Sequence, residues 1–424
     1  IDTNQSTTVV WGDNDPSNGQ APGTSNDLLT AGQVISLDNE LNVPRNTNSF
    51  FYDGKDRITV TKPVAITRAL YPLDQGPLMA GAVQIMDTTQ YGIHYRAPIG
   101  EDLDHPAGAV NGNVFDYVGM FVMAADDPTM IEIDVDGDGT VDVMEWLRKG
   151  ENYYVDGGVQ VGATVNSAKP VQAHLVAGQD STYETRLFTL FPRYQWDDEY
   201  ISVVGDNGSG DPVDVWLYNP NTNSIDVFYT NQLASGSITI AAGVTTNYTL
   251  PGSTAGRYYT TNGAEFLAVS SIGDDSTRDW GYALTPERIL TTMSICPWGW
   301  GNDDKTGNYS PFFVTTISNT TLYVDYDGDP STGVTNDPLG NLCDVVTNVT
   351  ALQQVKLKDT VYGDNDQTAT RVYTLDGTRL AAAWGEDPDP SSPPGAPENA
   401  LDMGTTILPF PNIFARKWSD IETD

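Results

Sequence analysis

The chain has 424 residues, 39% of them apolar and 10% aromatic, which is enough material for a large core and excludes general disorder. Asp and Glu number 57 against 21 Lys and Arg, a net charge of −36; such a surface repels nucleic-acid phosphates and anionic lipid and attracts divalent cations. No apolar run is long enough to span a bilayer, and the absence of CxxC and HExxH patterns argues against zinc.

The elements predicted along the chain are short strands joined by turns, as 40 scattered glycines and 26 prolines suit. No charged-then-apolar signal segment opens the chain, so Ile1 reads as the start of a mature or trimmed product. Thr7–Gly19, TTVVWGDNDPSNG, is a strand running into an acidic turn, where Asp13 and Asp15 fit an Asx turn that bonds its own backbone. A second strand pair follows from Ala31. Arg57–Leu70 then reads as strand, tight Lys-Pro turn, strand, and an apolar stretch from Met79 completes the set.

The most distinctive stretch is Met130–Trp146, MIEIDVDGDGTVDVMEW. Asp134, Asp136, Asp138, Thr140, Asp142 and Glu145 occupy relative positions 1, 3, 5, 7, 9 and 12, with Gly139 at position 6. That is the oxygen-ligand spacing of a calcium loop, in which a glycine allows the sharp turn and hard oxygens replace the hydration shell of the ion. Carboxylates packed into twelve residues repel one another unless a cation sits among them. The lead-in Ile131-Glu132-Ile133 alternates and is β-branched, so this is a turn between strands, unlike the helix-flanked loop of an EF-hand; Val143–Lys149 has room for one helical turn.

The same frame recurs. Thr320–Gly333, TTLYVDYDGDPSTG, places Asp325, Asp327 and Asp329 on Asp134, Asp136 and Asp138, with Asp337 and Asp344 as further candidate ligands. A weaker copy is Val213–Asn223, where Asn219 and Asn221 replace two carboxylates. The strand–turn–strand element recurs at Gly162–Val176, Tyr258–Ile272 and Arg371–Trp384. The apolar, Pro-containing element recurs at Leu187–Gly205, Tyr282–Trp298 and Thr405–Trp418. The period is near one hundred residues, and the first 56 and last 54 residues together make one further unit. The expected fold is therefore all-β, a closed propeller-like ring of four pseudo-repeats: 57–161, 162–257, 258–370, and 371–424 completed by 1–56. Each unit would hold about eight short strands in two blades. The alternative is a series of tandem β-sandwiches. No convincing helix is present, and 387–398 is a Pro-rich loop.

One set of motifs resembles the N-terminal domain of the IgGFc-binding protein family. It is carried by Val165-Asn166-Ser167-Ala168-Lys169-Pro170-Val171, then Phe188–Pro192, then Glu199-Tyr200-Ile201-Ser202-Val203-Val204, and in part by Ile58–Ile66 with Lys62-Pro63-Val64. The motifs are short and mostly structural. The resemblance implies an extracellular β-repeat domain of mucus-type or microbial surface proteins with no catalytic residues to transfer; nothing here supports antibody binding.

The two cysteines, Cys296 and Cys343, allow one disulfide in an exported chain or two buried thiols. Sequons stand at Asn4, Asn207, Asn247, Asn308, Asn319 and Asn348 and fit export and glycosylation. Asp197, Asp198 and Glu199, and Asp303 with Asp304, are acidic clusters of the kind a glycosidase uses, yet 57 acids supply such pairs everywhere. Trp298 and Trp300 fit either sugar stacking or packing on a neighbouring strand. The expected function is that of a non-enzymatic, exported, calcium-stabilised structural or adhesive surface or matrix protein, a subunit of a filament or layer. Its partners would be further copies of itself, other surface proteins or glycans, with no nucleic acid and no membrane span. The alternative is a secreted carbohydrate-binding or carbohydrate-cleaving propeller.

Overall fold

The computed structural model describes residues 7–12, 24–35, 57–70, 81–103, 114–178, 185–206, 212–273, 280–299, 310–359, 361, 366–388 and 403–410. The fold is all-β and antiparallel throughout, with three single-turn 3-10 helices at Thr88–Gln90, Arg193–Gln195 and Glu287–Ile289.

The strands fall into four groups. The first holds β1 (Thr7–Gly12), β2 (Thr24–Leu29), β3 (Arg57–Val60), β4 (Thr67–Leu70) and β5 (Gly81–Gln84). The second holds β6 (Gly92–Arg96), β7 (Tyr117–Ala124), β8 (Thr129–Asp134), β9 (Val143–Leu147), β10 (Asn152–Val155), β11 (Thr164–Gly178) and β12 (Thr185–Thr189). The third holds β13 (Glu199–Ser202), β14 (Val213–Tyr218), β15 (Ile225–Asn231), β16 (Ser235–Ile240), β17 (Thr245–Thr249), β18 (Gly256–Tyr259), β19 (Leu267–Ile272), β20 (Trp280–Ala283) and β21 (Thr285–Pro286). The fourth holds β22 (Met293–Ile295), β23 (Phe312–Thr316), β24 (Thr320–Asp325), β25 (Thr335–Asn336), β26 (Leu342–Cys343), β27 (Val345–Val349), β28 (Val355–Leu357), β29 (Arg371–Tyr373), β30 (Leu380–Gly385) and β31 (Gly404–Ile407).

The strand–turn–strand element is the organising feature, and it is not a hairpin. In the second group it is the single long strand β11. Val171–Gly178 pairs with β7 and β12, Thr164–Ser167 pairs with β8 and β6, and the register against β6 shifts between Asn166 and Val171. Lys169-Pro170 therefore marks the point where one strand passes from one set of partners to another within the same wrapped sheet. The third and fourth groups repeat the plan with the strand broken: β18 joins β15 and β13 while β19 joins β14 and β20, and β29 joins β24 and β22 while β30 joins β23 and β31. A polar break between two apolar runs looks the same in sequence whether the second run folds back or crosses over, because both put one face on a core.

Each of these groups closes its strands over one main core. Met120 and Val122 of β7 meet Ile131 and Ile133 of β8 and Val165, Ala173 and Leu175 of β11, and here the strands wrap into a nearly closed barrel. Val213, Val215 and Leu217 of β14 meet Ile225 and Val227 of β15 in the third group, and Phe312 and Val314 of β23 meet Leu322 and Val324 of β24 in the fourth. Among the described residues there is no closed propeller of four repeats. A propeller blade is a consecutive meander, whereas here the third and fourth sets are each divided between two sheets and the second wraps into one nearly closed sheet.

One strand from each group meets at the centre: β5, β12, β20 and β31. β5 packs on β12, β12 on β20, β20 on β31, and β31 on β5. Hydroxyls tie them: Gln84 N donates to Thr405 Oγ1 at 3.1 Å, Thr189 Oγ1 to Gln84 O at 3.4 Å and Thr406 Oγ1 to Ala283 O at 2.8 Å. Gly404 is required there, since a Cβ would lie 1.9 Å from Cε3 of the buried Trp280.

Candidate functional site

β8 alternates, burying Ile131 and Ile133, and ends at Asp134, which is itself buried. The chain then turns through Gly137 and Gly139, both at positive φ (72° and 91°), a conformation glycine adopts without a Cβ clash. Asp134 organises the turn, with Oδ1 accepting from Gly137 N and Oδ2 from Gly139 N, each at 2.8 Å. Asp136 Oδ1 accepts from Asp138 N at 3.1 Å, and Asp138 Oδ1 from Thr140 N at 2.7 Å. Asp134, Asp136 and Asp138 each offer an oxygen, and these oxygens lie within 4.8 Å of one another. Such a set suits a hard cation.

The rest of the twelve-residue pattern lies elsewhere. Asp142 closes the base of the turn by accepting from Val135 N at 2.8 Å, and Thr140 is an exposed residue of the turn. Val143–Leu147 is strand β9, with no helical turn, and it pairs Glu145 with Ile131. Glu145 is thus exposed and carried back along β8, outside the gathered oxygens. An EF-hand loop keeps its twelfth ligand because a helix leads out of it; a hairpin return removes that ligand.

Asp325 occupies the position in β24 that Asp134 holds in β8. Its partner across the strand pair is Arg371, where Asp134 faces Thr164. The Arg371 guanidinium donates from Nη2 to Asp325 Oδ2, and both residues are buried. Burial pushes the Asp325 carboxyl up to about 7, with Arg371 opposing the rise and Asp327 adding to it. Asp327 accepts from Asp329 N at 2.9 Å and Thr332 Oγ1 at 2.6 Å, and Asp329 from Ser331 N at 2.9 Å. Asp337 is taken by its own turn and by the Tyr373 hydroxyl at 2.9 Å, while Asp344 holds Tyr326 N at 2.8 Å. Among the described residues only the Asp134 group gathers its oxygens. At Asp325, Asp327 and Asp329, the expected second metal turn, a side chain of the protein sits against the buried carboxylate. The signal was present in the repeats, since RVYT from Arg371 aligns with TVNS from Thr164.

Two further expectations shift. The copy at Val213–Asn223 is one strand out of register, because Asn219 and Asn221 follow β14, whereas the acidic turns follow β8 and β24; the equivalent turn after β15 starts at Asn231, whose Oδ1 accepts from Leu233 N at 2.8 Å. Cys296 and Cys343 are free buried thiols in separate apolar clusters, and burial raises both thiols, Cys343 to about 11.

Of the sequons, Asn319 and Asn348 are exposed on the fourth group and Asn247 is half-buried on β17; Asn4, Asn207 and Asn308 lie outside the described residues, as do Asp13, Asp15, Asp303, Asp304 and Trp300. The acidic cluster 197–199 is held by arginines. Arg288 Nη2 reaches Asp197 Oδ1 at 3.1 Å, and Arg257 grips Glu199 through Nε at 2.7 Å and Nη2 at 2.6 Å, so neither acid stands ready as a catalytic carboxylate. Trp298 packs edge-on against Trp384 with ring centroids 5.0 Å apart.

No family model, curated protein or solved structure matches the chain.

Proposed function

We propose that this chain is a calcium-stabilised structural protein of a cell surface or extracellular matrix, a scaffold of β-units that presents loops for adhesion or assembly. The observation that carries the reading is the Asp134–Asp136–Asp138 turn. Its three carboxylates offer oxygens within 4.8 Å of one another, and the residue opposite Asp134 is Thr164, where the fourth group has Arg371 opposite Asp325. A cation that binds the folded turn alone stabilises the fold in proportion to its free concentration, by about 2.7 kcal/mol at a hundredfold excess over the dissociation constant. The net charge of −36 supports a saline, cation-rich medium and disfavours nucleic acid as a partner. No helix among the described residues is long and apolar enough to cross a membrane. The short family-like motifs support the same extracellular setting, and assembly would use further copies of this chain, other surface proteins or glycans.

The test is thermal unfolding and negative-stain imaging with calcium and with a chelator. Melting that rises with free calcium, and assembly that follows it, supports the proposal. Identical melting and assembly in both conditions would sink the metal part of it. A carbohydrate-cleaving role has less support, because the acids at 197–199 are committed to Arg288 and Arg257.

A further inference from the structure

The single-turn helices mark three copies of one junction, where the chain leaves the centre and enters the next group of strands. In the copy at Glu287–Ile289 the junction is sealed by side chains of the protein. Glu287 pairs with Arg379, and Arg288 reaches back to Asp197. In the copy at Arg193–Gln195 the corresponding space is open. A groove of about 350 Å³ lies there, lined by Ile93 and His94 of β6, by Arg193 and Tyr194, and by Glu265 just before β19. That volume falls within the range of small-ligand sites, roughly 300–1,000 Å³.

The lining is held in place before any ligand arrives. Gly92 lets the segment leading into the helix settle on β6, since a Cβ there would lie 2.2 Å from Pro192 Cβ. The Tyr194 hydroxyl donates to Gln90 O at 2.6 Å and accepts from Gln195 Nε2 at 3.1 Å, so its ring is fixed although the residue is 56% exposed. His94 Nδ1 lies 2.6 Å from Asn166 Oδ1, a contact that fixes the ring. Glu265 is steadied by Arg288 at 3.7 Å. Arg193 lies over the Trp196 ring at 5.6 Å and has no carboxylate partner among the described residues, in a chain with 57 acids and 21 bases. A guanidinium stacked on Trp196 and without a carboxylate partner among the described residues, a fixed imidazole, an exposed ring and one carboxylate acceptor make a mixed surface. The guanidinium fits a carboxylate, the ring fits a flat CH face, and Glu265 accepts from hydroxyls.

The geometry points to a binding site for a carboxylated sugar, the uronate unit of an acidic glycan, in the groove between β6, the Arg193–Gln195 turn and Glu265. This rests on the adhesive part of the proposed function and is independent of its calcium part. Selectivity follows from the net charge of −36: the rest of the surface repels a polyanion, so binding requires the local cation.

The test is calorimetric titration of the full chain with an oligogalacturonate and with a neutral galactose oligomer of equal length. The acidic oligomer should bind and the neutral one should bind at least about tenfold more weakly, the scale of a lost charge-assisted contact. Arg193→Gln and Tyr194→Ala should each weaken the acidic oligomer by about tenfold or more with unchanged melting, while Tyr194→Phe retains most of the affinity. Arg148→Gln, at an exposed cation elsewhere, should change nothing. Equal binding of the two oligomers, equal losses with Arg148→Gln, or no binding at millimolar oligomer would each overturn the site. Calcium-dependent melting measured on the same samples separates that failure from a failure of the structural reading.

Discussion

Two turns built on one plan end in different chemistry. Both begin where the third strand of a group stops, at Asp134 on β8 and at Asp325 on β24, and both continue Asp-x-Asp-Gly-Asp. What separates them is the residue opposite, Thr164 in one and Arg371 in the other. The fourth group sets an arginine against its buried carboxylate, and the second gathers three carboxylates with a threonine opposite. An acidic spacing motif states only that oxygens are near. Whether they need a metal is decided by the charge that the next strand brings.

The largest effect should come from breaking the internal pair. Arg371→Met leaves Asp325 buried without its cation and should cost about 3–5 kcal/mol in urea unfolding, whereas adding Asp325→Asn to the same chain should recover much of that. A loss below about 1 kcal/mol would show that the pair is not what holds this turn. Next in size is the calcium term: Asp134→Ala should erase the difference in stability between saturating calcium and chelator, expected at about 2–3 kcal/mol in the parent. The comparison is sharpened by grafting, since Thr164→Arg should place a guanidinium against Asp134 and make the second turn insensitive to chelation. If Thr164→Arg keeps the full calcium response, the two turns are not equivalent.

A smaller effect concerns pH. The folded Asp325 carboxyl is raised to about 7 by burial, above its unfolded value of about 3.9. A raised carboxyl holds its proton in the folded state while the unfolded chain has lost it. Its contribution is fully present below about pH 4 and is lost as pH rises through about 7. Urea midpoints between pH 5 and 8 should fall more steeply in the parent than in Asp325→Asn; parallel curves would refute the assignment. The smallest effect belongs to Glu145→Gln. The exposed position on β9 predicts a change within about 0.5 kcal/mol and an unaltered calcium response. A response as weak as that of Asp134→Ala would restore Glu145 as a ligand.

Much of this was legible locally. Alternation in Ile131-Glu132-Ile133 identified a strand, and the Asp-Gly-Asp-Gly run identified an acidic turn between strands, because both depend on residues within a few positions of one another. The exit from that turn was not legible. Val143–Leu147 carries no strong period, and only pairing with β8 makes it a strand and takes Glu145 away. The groove around Tyr194 was invisible for a related reason: Ile93, Arg193 and Glu265 are far apart in the chain, and nothing in their spacing announces a shared surface.

By itself the sequence determined the class of structure, the repeated order of strands and the acidic turn at Asp134, since periodicity, turn chemistry and charge are short-range properties. Tertiary structure decided the rest. It carried β11 through Lys169-Pro170 from one set of partners to another within one wrapped sheet, where a hairpin was expected, and it set Arg371 against Asp325 from 46 residues away while leaving Thr164 before Asp134. Register and sheet assignment come from burying apolar faces over a common core, and that core exists only when the groups of strands close on themselves.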